Sequence, residues 1–363
     1  MRILIELPTW LGDAVMASAA VEAIAKHAAA FDARNSAGEF ENERDFSFSS
    51  QNFGPVTQEI QIFKNDTPNL DGKFEADRGP NLTANAQKNQ NPQNLQEPVK
   101  IVFFGSFAAC ELFKAHPNCE RVIVDNSKKA KFRLWRLFWQ ARNLGKFDAA
   151  FSFRSSFASK ILIYGMRAER KFVFQKSKDG AHQVQKYLKF VKTALNLKCA
   201  DDELKLYFEP RKFDAPVLGL NPGASYGSAK RWYPAYFAQV ALHFKDKFKI
   251  MIFGGAGERD ICEQIEQILR ENGAECENLV GKTSVRELCE NIGGIWQSGG
   301  IFVTNDSGPM HIAAAYKTPT IALFGPTRFT QTCPWRNENA RILHLNLECM
   351  PCMKRVCPLK THA

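Results

Sequence analysis

Residues 301–324 read IFVTNDSGPMHIAAAYKTPTIALF. An apolar run, a polar turn, a helix with a small-residue face and a second apolar run follow one another. That is the pattern of a strand, a helix and the next strand of a parallel sheet. A plain turn there needs Gly308 and Pro309, but not Asp306, Ser307 and His311 as well. Pro309 suits the first helical position, where a missing N–H costs nothing. Ser307 or Asp306 suits the cap. The N–H groups of Gly308, Met310 and His311 then point out of a helix start whose dipole favours an anion such as phosphate. Small residues at 313–315 let the helix lie close on its sheet. Taken alone, the stretch also reads as an ordinary capped helix.

The same alternation runs outward in both directions. Before it stand PVLGLNPGAS (216–225), a helix from Pro234, KIMIFGGAGERD (249–260), the helix ICEQIEQILRENG (261–273) and NLVGKTSVRELCENI (278–292); TPTIALFGPTR (318–328) closes the series. An earlier series begins with RILIEL (2–7) and a helix over 13–29. It resumes with VKIVFFG (99–105) and runs through FDAAFSF (147–153) and KFVF (171–174) to a helix over 181–197. The fold class is therefore α/β, with two doubly wound, Rossmann-like halves facing across a crevice. The expected domains are 1–200 and 201–345, with a linker near 200–214 and a Cys-rich tail over 346–363. The stretch 32–98, rich in Asn, Gln and charge, reads as a solvated insertion in the first domain.

The chain has 363 residues, 45% of them hydrophobic, enough for two cores. Its net charge of +10 favours polyanions: nucleic acid, anionic membrane, or phosphorylated small molecules. The opening MRILIELPTW is broken at Glu6 and has no cleavage-site pattern, so it reads as a buried strand and not a signal peptide. No apolar run approaches bilayer length. The expected location is intracellular, and the ten cysteines fit a reducing compartment.

In doubly wound sheets, ligands bind outside the carboxyl ends of the strands. The loops there are PTWLGD, NPGASYGSAKRW, GGAGERD, TNDSGPMH and FGPTR. In NPGASYGSAKRW, small residues let backbone approach an anion, Ser225 is a donor, and Lys230 and Arg231 bring positive charge. In GGAGERD, the full dinucleotide fingerprint is missing, but Glu258 is placed to hold ribose hydroxyls. Asp13, just after Gly12 at a helix start, is either a plain cap or a general base at the crevice mouth. No D-x-D pair occurs, so nothing supports a metal held by paired carboxylates. Charge on a leaving diphosphate falls to Lys230, the helix dipole and backbone N–H groups.

With these residues in hand, the sequence resembles the ADP-heptose:lipopolysaccharide heptosyltransferases. LPTWLGDAVMASAAVEAI is similar to that family's opening. VTNDSGPMHIAAAYKTPTIALFGPT resembles its donor-binding segment, and NPGAS with AKRWYPAYFAQVA resembles the loop and helix between them. The likeness covers nearly all of the chain except about 32–98. The form PTWLGDAVM and the Cys-rich tail resemble the heptosyltransferase II branch more than the heptosyltransferase I branch.

The resemblance implies a GT-B fold and inverting transfer from ADP-heptose, with no further cofactor. It makes Asp13 the base, and sets Lys230 near the donor phosphate and sugar. Asp306 then faces the heptose hydroxyls, Ser307, Gly308 and His311 form the diphosphate-binding helix start, and Glu258 holds the nucleoside. Many members carry more Thr or Ser where this chain has Ala224-Ser225. The implied acceptor is lipid A carrying Kdo and heptose. Trp10, Gly12, Arg154 and Lys160 are its candidate contacts, with Arg167 and Lys171 nearby; the four basic residues read equally well as a plain solvated face. The implied site of action is the cytoplasmic face of the inner membrane, in peripheral contact, with no nucleic acid involved.

Two features lie outside that core. SKKAKFRLWRLFWQARNLGK (127–146) is basic and aromatic, with Trp135, Phe138 and Trp139 at helical spacing. The preferred reading packs these aromatics on the sheet; the other lays them on an anionic membrane. In the tail, Cys349, Cys352, Cys357 and His362 have loose zinc spacing, with buried thiols or a disulfide as alternatives. Three competing functions remain: the first heptose added onto Kdo, a GT-B enzyme for another nucleotide sugar, and a non-catalytic polyanion or RNA binder. The last has no recognition motif behind it.

Overall fold

A computed structural model describes residues 1–31, 99–127 and 132–359; the expected insertion 32–98 and His362 lie outside them. Among the described residues, the first sheet has five parallel strands: β1 (Arg2–Glu6), β2 (Lys100–Gly105), β3 (Cys119–Val124), β4 (Lys146–Ser152) and β5 (Arg167–Val173). Their spatial order is β3-β2-β1-β4-β5. β1 lies in the middle, and Ile3, Leu4 and Ile5 are buried on both of its faces, as a central parallel strand demands. The second sheet has six parallel strands: β6 (Val217–Asn221), β7 (Lys249–Ile252), β8 (Cys276–Asn278), β9 (Ile301–Asn305), β10 (Thr320–Phe324) and β11 (Ala340–His344). They are ordered β11-β10-β9-β6-β7-β8.

The helices of the first half are α1 (Leu11–Met16), α2 (Ser18–Phe31), α3 (Phe107–Phe113), α4 (Arg133–Asn143), α5 (Phe157–Gly165) and α6 (Gln183–Leu195). Those of the second half are α7 (Pro234–Phe244), α8 (Arg259–Glu271), α9 (Val285–Gln297), α10 (Gly308–Ala315) and the short α11 (Phe329–Thr332). Residues 201–214 carry no helix or strand, where the linker was expected. Buried residues of α1, α2, α9 and α10 belong to one continuous apolar cluster, so the two halves pack on each other there. The chain between α6 and β6 is tied down too: Asp202 accepts a hydrogen bond from the Trp335 indole at 2.8 Å. Among the described residues no helix is long and apolar enough to cross a membrane.

Four details differ from expectation. The single helix over 13–29 is two, α1 and α2, separated at Ala17. Pro309 is the second residue of α10, not the first, because Gly308 opens it. The series does not close at 318–328: ARILH adds β11 at the edge, where half-exposed alternation left little apolar signal. The aromatics of α4 do not pack on the sheet. Only Leu137 and Ala141 of that helix are buried, and Trp135 is 68% exposed.

Candidate active site

The starts of α1 and α10 meet across the crevice, and two glycines allow it. A Cβ at Gly12 would lie 2.6 Å from His311 Cδ2, and one at Gly308 would lie 3.2 Å from Leu11 Cβ. The contact sets Asp13, at the third position of α1, opposite the β9–α10 turn. Burial pushes the Asp13 carboxyl above its ordinary value, and Asp306 pushes it the same way. The Tyr187 hydroxyl, Lys176 and Lys230 pull it down. Tyr187 donates to Asp13 Oδ1 at 3.4 Å, a long contact. A carboxylate whose proton affinity is raised is a stronger base than an exposed one.

Opposite stands an ion pair. Lys230 Nζ lies 2.5 Å from Asp306 Oδ2 and donates to the Asp306 carbonyl at 3.2 Å. Both side chains are largely shut off from water, at 12% and 3% exposure. The Thr327 hydroxyl, from the FGPTR loop after β10, donates to the same carboxylate oxygen at 2.5 Å. The ammonium expected at a donor phosphate is therefore held by the acid expected at the donor sugar.

The helix start is arranged differently from a simple cap. Ser307 makes no side-chain cap; its Oγ accepts from Asn221 Nδ2 at 2.8 Å, and the same amide donates to Thr304 Oγ1 at 2.9 Å. The Met310 N–H bonds back to the Ser307 carbonyl at 3.2 Å, so it is not free for an anion. His311 is buried beneath Gly12, and burial, aided by Lys230, pulls its pKa down to about 3. The ring is neutral and brings no charge to a phosphate; its Nδ1 is buried without a hydrogen-bond partner.

Ser225 stands exposed in the loop after β6. Glu258 closes a 3-10 turn, Ala256–Glu258; its Oε2 accepts from the Gly255 N–H at 2.8 Å. Its carboxylate occupies the space a Cβ at Gly223 would need, so it links the β6 and β7 loops. On the acceptor side, Trp10 is an exposed N-cap of α1 and Lys160 an exposed residue of α5. Arg154 is otherwise engaged: its Nη1 meets the buried Glu6 at 3.0 Å, and Ser152 and Ser159 donate to the same carboxylate. Arg154 thus braces the end of β1 beside the site. Thr327, Asn221 and Tyr187 are residues the sequence reading missed; Thr327 lay in a loop it had named, and Asn221 opened another.

The Cys-rich tail folds back over the donor loop. Tyr226 OH donates to the Met353 carbonyl at 2.7 Å, the Ala229 N–H to the Arg355 carbonyl at 3.0 Å, and the Met353 N–H to the Pro326 carbonyl at 2.8 Å. The Arg355 guanidinium sits over the Tyr226 ring, 5.3 Å from its centroid. Among the described residues no group of three or more His, Cys, Asp or Glu gathers to hold a metal; Cys349 and Cys357 are exposed and Cys352 half-buried. A Cβ at Gly227 would collide with the Arg355 carbonyl. Gly227→Val is therefore expected to lift the tail and loosen Lys230. Overpacking of about 1–3 kcal/mol should raise the donor KM roughly tenfold and speed proteolytic removal of the tail. An unchanged proteolysis rate would show that the strap does not bear on the loop.

The family model for glycosyltransferase family 9 (heptosyltransferase) matches residues 140–363. Lipooligosaccharide heptosyltransferase 2 of Campylobacter jejuni serotype O:6 is 38% identical over 372 aligned residues, covering 100% of this chain and 93% of that protein. Among solved structures, E. coli ADP-heptose LPS heptosyltransferase II superposes with a TM-score of 0.61 at 19% identity, over 97% of this chain and 96% of that one. E. coli heptosyltransferase WaaC with ADP superposes with a TM-score of 0.58 at 13% identity, over 95% and 93%. These superpositions give the two-sheet GT-B architecture that the sequence led us to expect.

Proposed function

The chain belongs to glycosyltransferase family 9, the heptosyltransferases, and from that premise we propose that it adds the second heptose of the lipopolysaccharide or lipooligosaccharide inner core. The donor is ADP-L-glycero-D-manno-heptose and the acceptor is the heptose already joined to Kdo and lipid A. The observation that carries the subtype is the likeness to a lipooligosaccharide heptosyltransferase 2 along the whole chain. Family membership sets aside the non-catalytic polyanion binder.

The geometry supports an inverting transfer. Asp13 accepts the proton of the acceptor hydroxyl, and that oxygen attacks the anomeric carbon from the face opposite ADP. The bond from that carbon to the diphosphate oxygen breaks, and ADP leaves with the electron pair. Lys230, already within reach of the β9–α10 turn, meets the charge that builds on the diphosphate. Asp306 is freed to accept from heptose hydroxyls as Lys230 turns to the phosphate. His311 acts by packing: its neutral ring fixes the distance between the two helix starts.

Transfer from ADP-heptose to a core acceptor carrying one heptose, compared with one carrying only Kdo, tests the reading. Product on the heptose-bearing acceptor is the expected result. Product on the Kdo acceptor alone would make the chain a first-heptose enzyme. The lipid-linked acceptor further implies work at the cytoplasmic face of the inner membrane, in peripheral contact with it.

A further inference from the structure

An ordinary surface helix buries its apolar stripe and exposes charge. In α8, Cys262, Ile265 and Leu269 face inward while the outer positions carry Glu and Gln. In α4 the order is reversed. Only the pair Leu137 and Ala141, one turn apart, faces the sheet. Leu134, Trp135, Phe138 and Trp139 lie on the outside, and the two indoles meet edge to face at 5.6 Å. Helix α5 continues the surface: Phe138 packs against Gly165, and Phe157 and Tyr164 are 69% and 66% exposed.

The charge on these two helices has one sign. Neither α4 nor α5 contains an acidic residue, while Arg133, Arg136 and Arg142 lie on α4 and Lys160 on α5. Exposed tryptophan and tyrosine among arginines, without acids, is the composition of a membrane-interface helix. Two copies of such a face would repel each other, which disfavours a second chain as its cover. Its place also fits. Helices α4 and α5 follow β3 and β4, so both begin at the carboxyl edge of the first sheet, the edge on which Asp13 stands.

We propose that the outer faces of α4 and α5 dock on an anionic phospholipid surface, with the tryptophans in the headgroup layer and the arginines on lipid phosphates. The proposal rests on the lipid-linked acceptor reading and gives it a surface: docking there holds the mouth of the crevice at the height of the acceptor's sugars.

The test uses the full chain and sedimentation with vesicles of phosphatidylcholine, alone or with phosphatidylglycerol as about one lipid in three. Thermal unfolding checks that each variant is folded. Wild type is expected to bind the anionic vesicles and not the neutral ones. Arg136→Ser/Arg142→Ser should weaken that binding roughly 30-fold, since each basic residue near an anionic surface contributes a factor of about five. Trp135→Ser/Trp139→Ser should weaken it at least about tenfold, and should lose transfer to acceptor embedded in vesicles while keeping transfer to a deacylated, water-soluble acceptor. A tryptophan variant that sediments like wild type overturns the proposal. So does a wild-type dimer that this variant converts to monomer, because a second copy would then cover the face. A wild type that docks as expected but transfers to neither acceptor would fell the heptosyl assignment and leave the docking surface standing.

Discussion

Asp13→Asn is expected to lower turnover by about 100- to 10,000-fold, the span that a positioned general base contributes, while ADP-heptose binds as before. The same change is expected to raise the unfolding temperature at neutral pH. Both effects follow from where the carboxylate stands. It is on α1, beneath the crevice mouth, with burial as the leading cause of its raised pKa. In the unfolded chain the group titrates near its ordinary value of 3.8; in the folded chain it titrates higher. Between those two values the folded state binds more protons than the unfolded one, so stability falls as pH rises through the window. At neutral pH the carboxylate is charged and its burial costs stability, a cost Asn does not carry. The gain in unfolding temperature should therefore vanish below the ordinary carboxyl range. The turnover of wild type should fall on the acid side with a midpoint above that range. An Asp13→Asn enzyme with wild-type turnover would remove Asp13 from the chemistry. One that is inactive but no more stable would show that Tyr187, Lys176 and Lys230 already offset the burial.

The residues around this site differ in how far they can be read from sequence. Strand, turn and helix over 301–324 were legible because period and small residues both point to a buried parallel sheet. Asp13, Lys230 and Asp306 were legible as candidates for the chemistry. Their mutual arrangement was not: nothing in the sequence shows that Lys230 and Asp306 pair with each other. Glu6 read as a break in an apolar run, and nothing local shows that it pairs with Arg154. His311 was read only as part of the helix start, because nothing in the sequence shows that its ring packs beneath Gly12 of the other half. The aromatics of α4 were read as core for a related reason. Helical spacing tells which residues share a face, but it does not tell whether that face or the narrow Leu137–Ala141 stripe turns inward. The tail strap depends on backbone carbonyls of Met353 and Arg355, which carry no sequence signal.

The second large effect is expected at the ion pair. Lys230→Met leaves the Asp306 carboxylate, 3% exposed, with Thr327 as its remaining side-chain donor. Removing one partner of a buried pair typically costs about 3–5 kcal/mol, because the other charge stays buried. Chemical denaturation should show that loss, and the double variant Lys230→Met/Asp306→Asn should recover most of it, since no charge is then stranded. Binding separates the pair's structural part from its chemical one. Calorimetry with ADP should find Lys230→Met weaker by roughly 10- to 100-fold, the worth of a charge-assisted hydrogen bond, and the double variant equally weak despite its recovered stability. Asp306→Asn alone should do the opposite. It frees the ammonium from its competitor, so ADP should bind more tightly. ADP-heptose should lose its advantage over ADP, because the acceptor for the sugar hydroxyls is weakened. If Asp306→Asn weakens ADP as much as Lys230→Met does, the two side chains act as one structural unit, and diphosphate does not compete with Asp306 for the lysine.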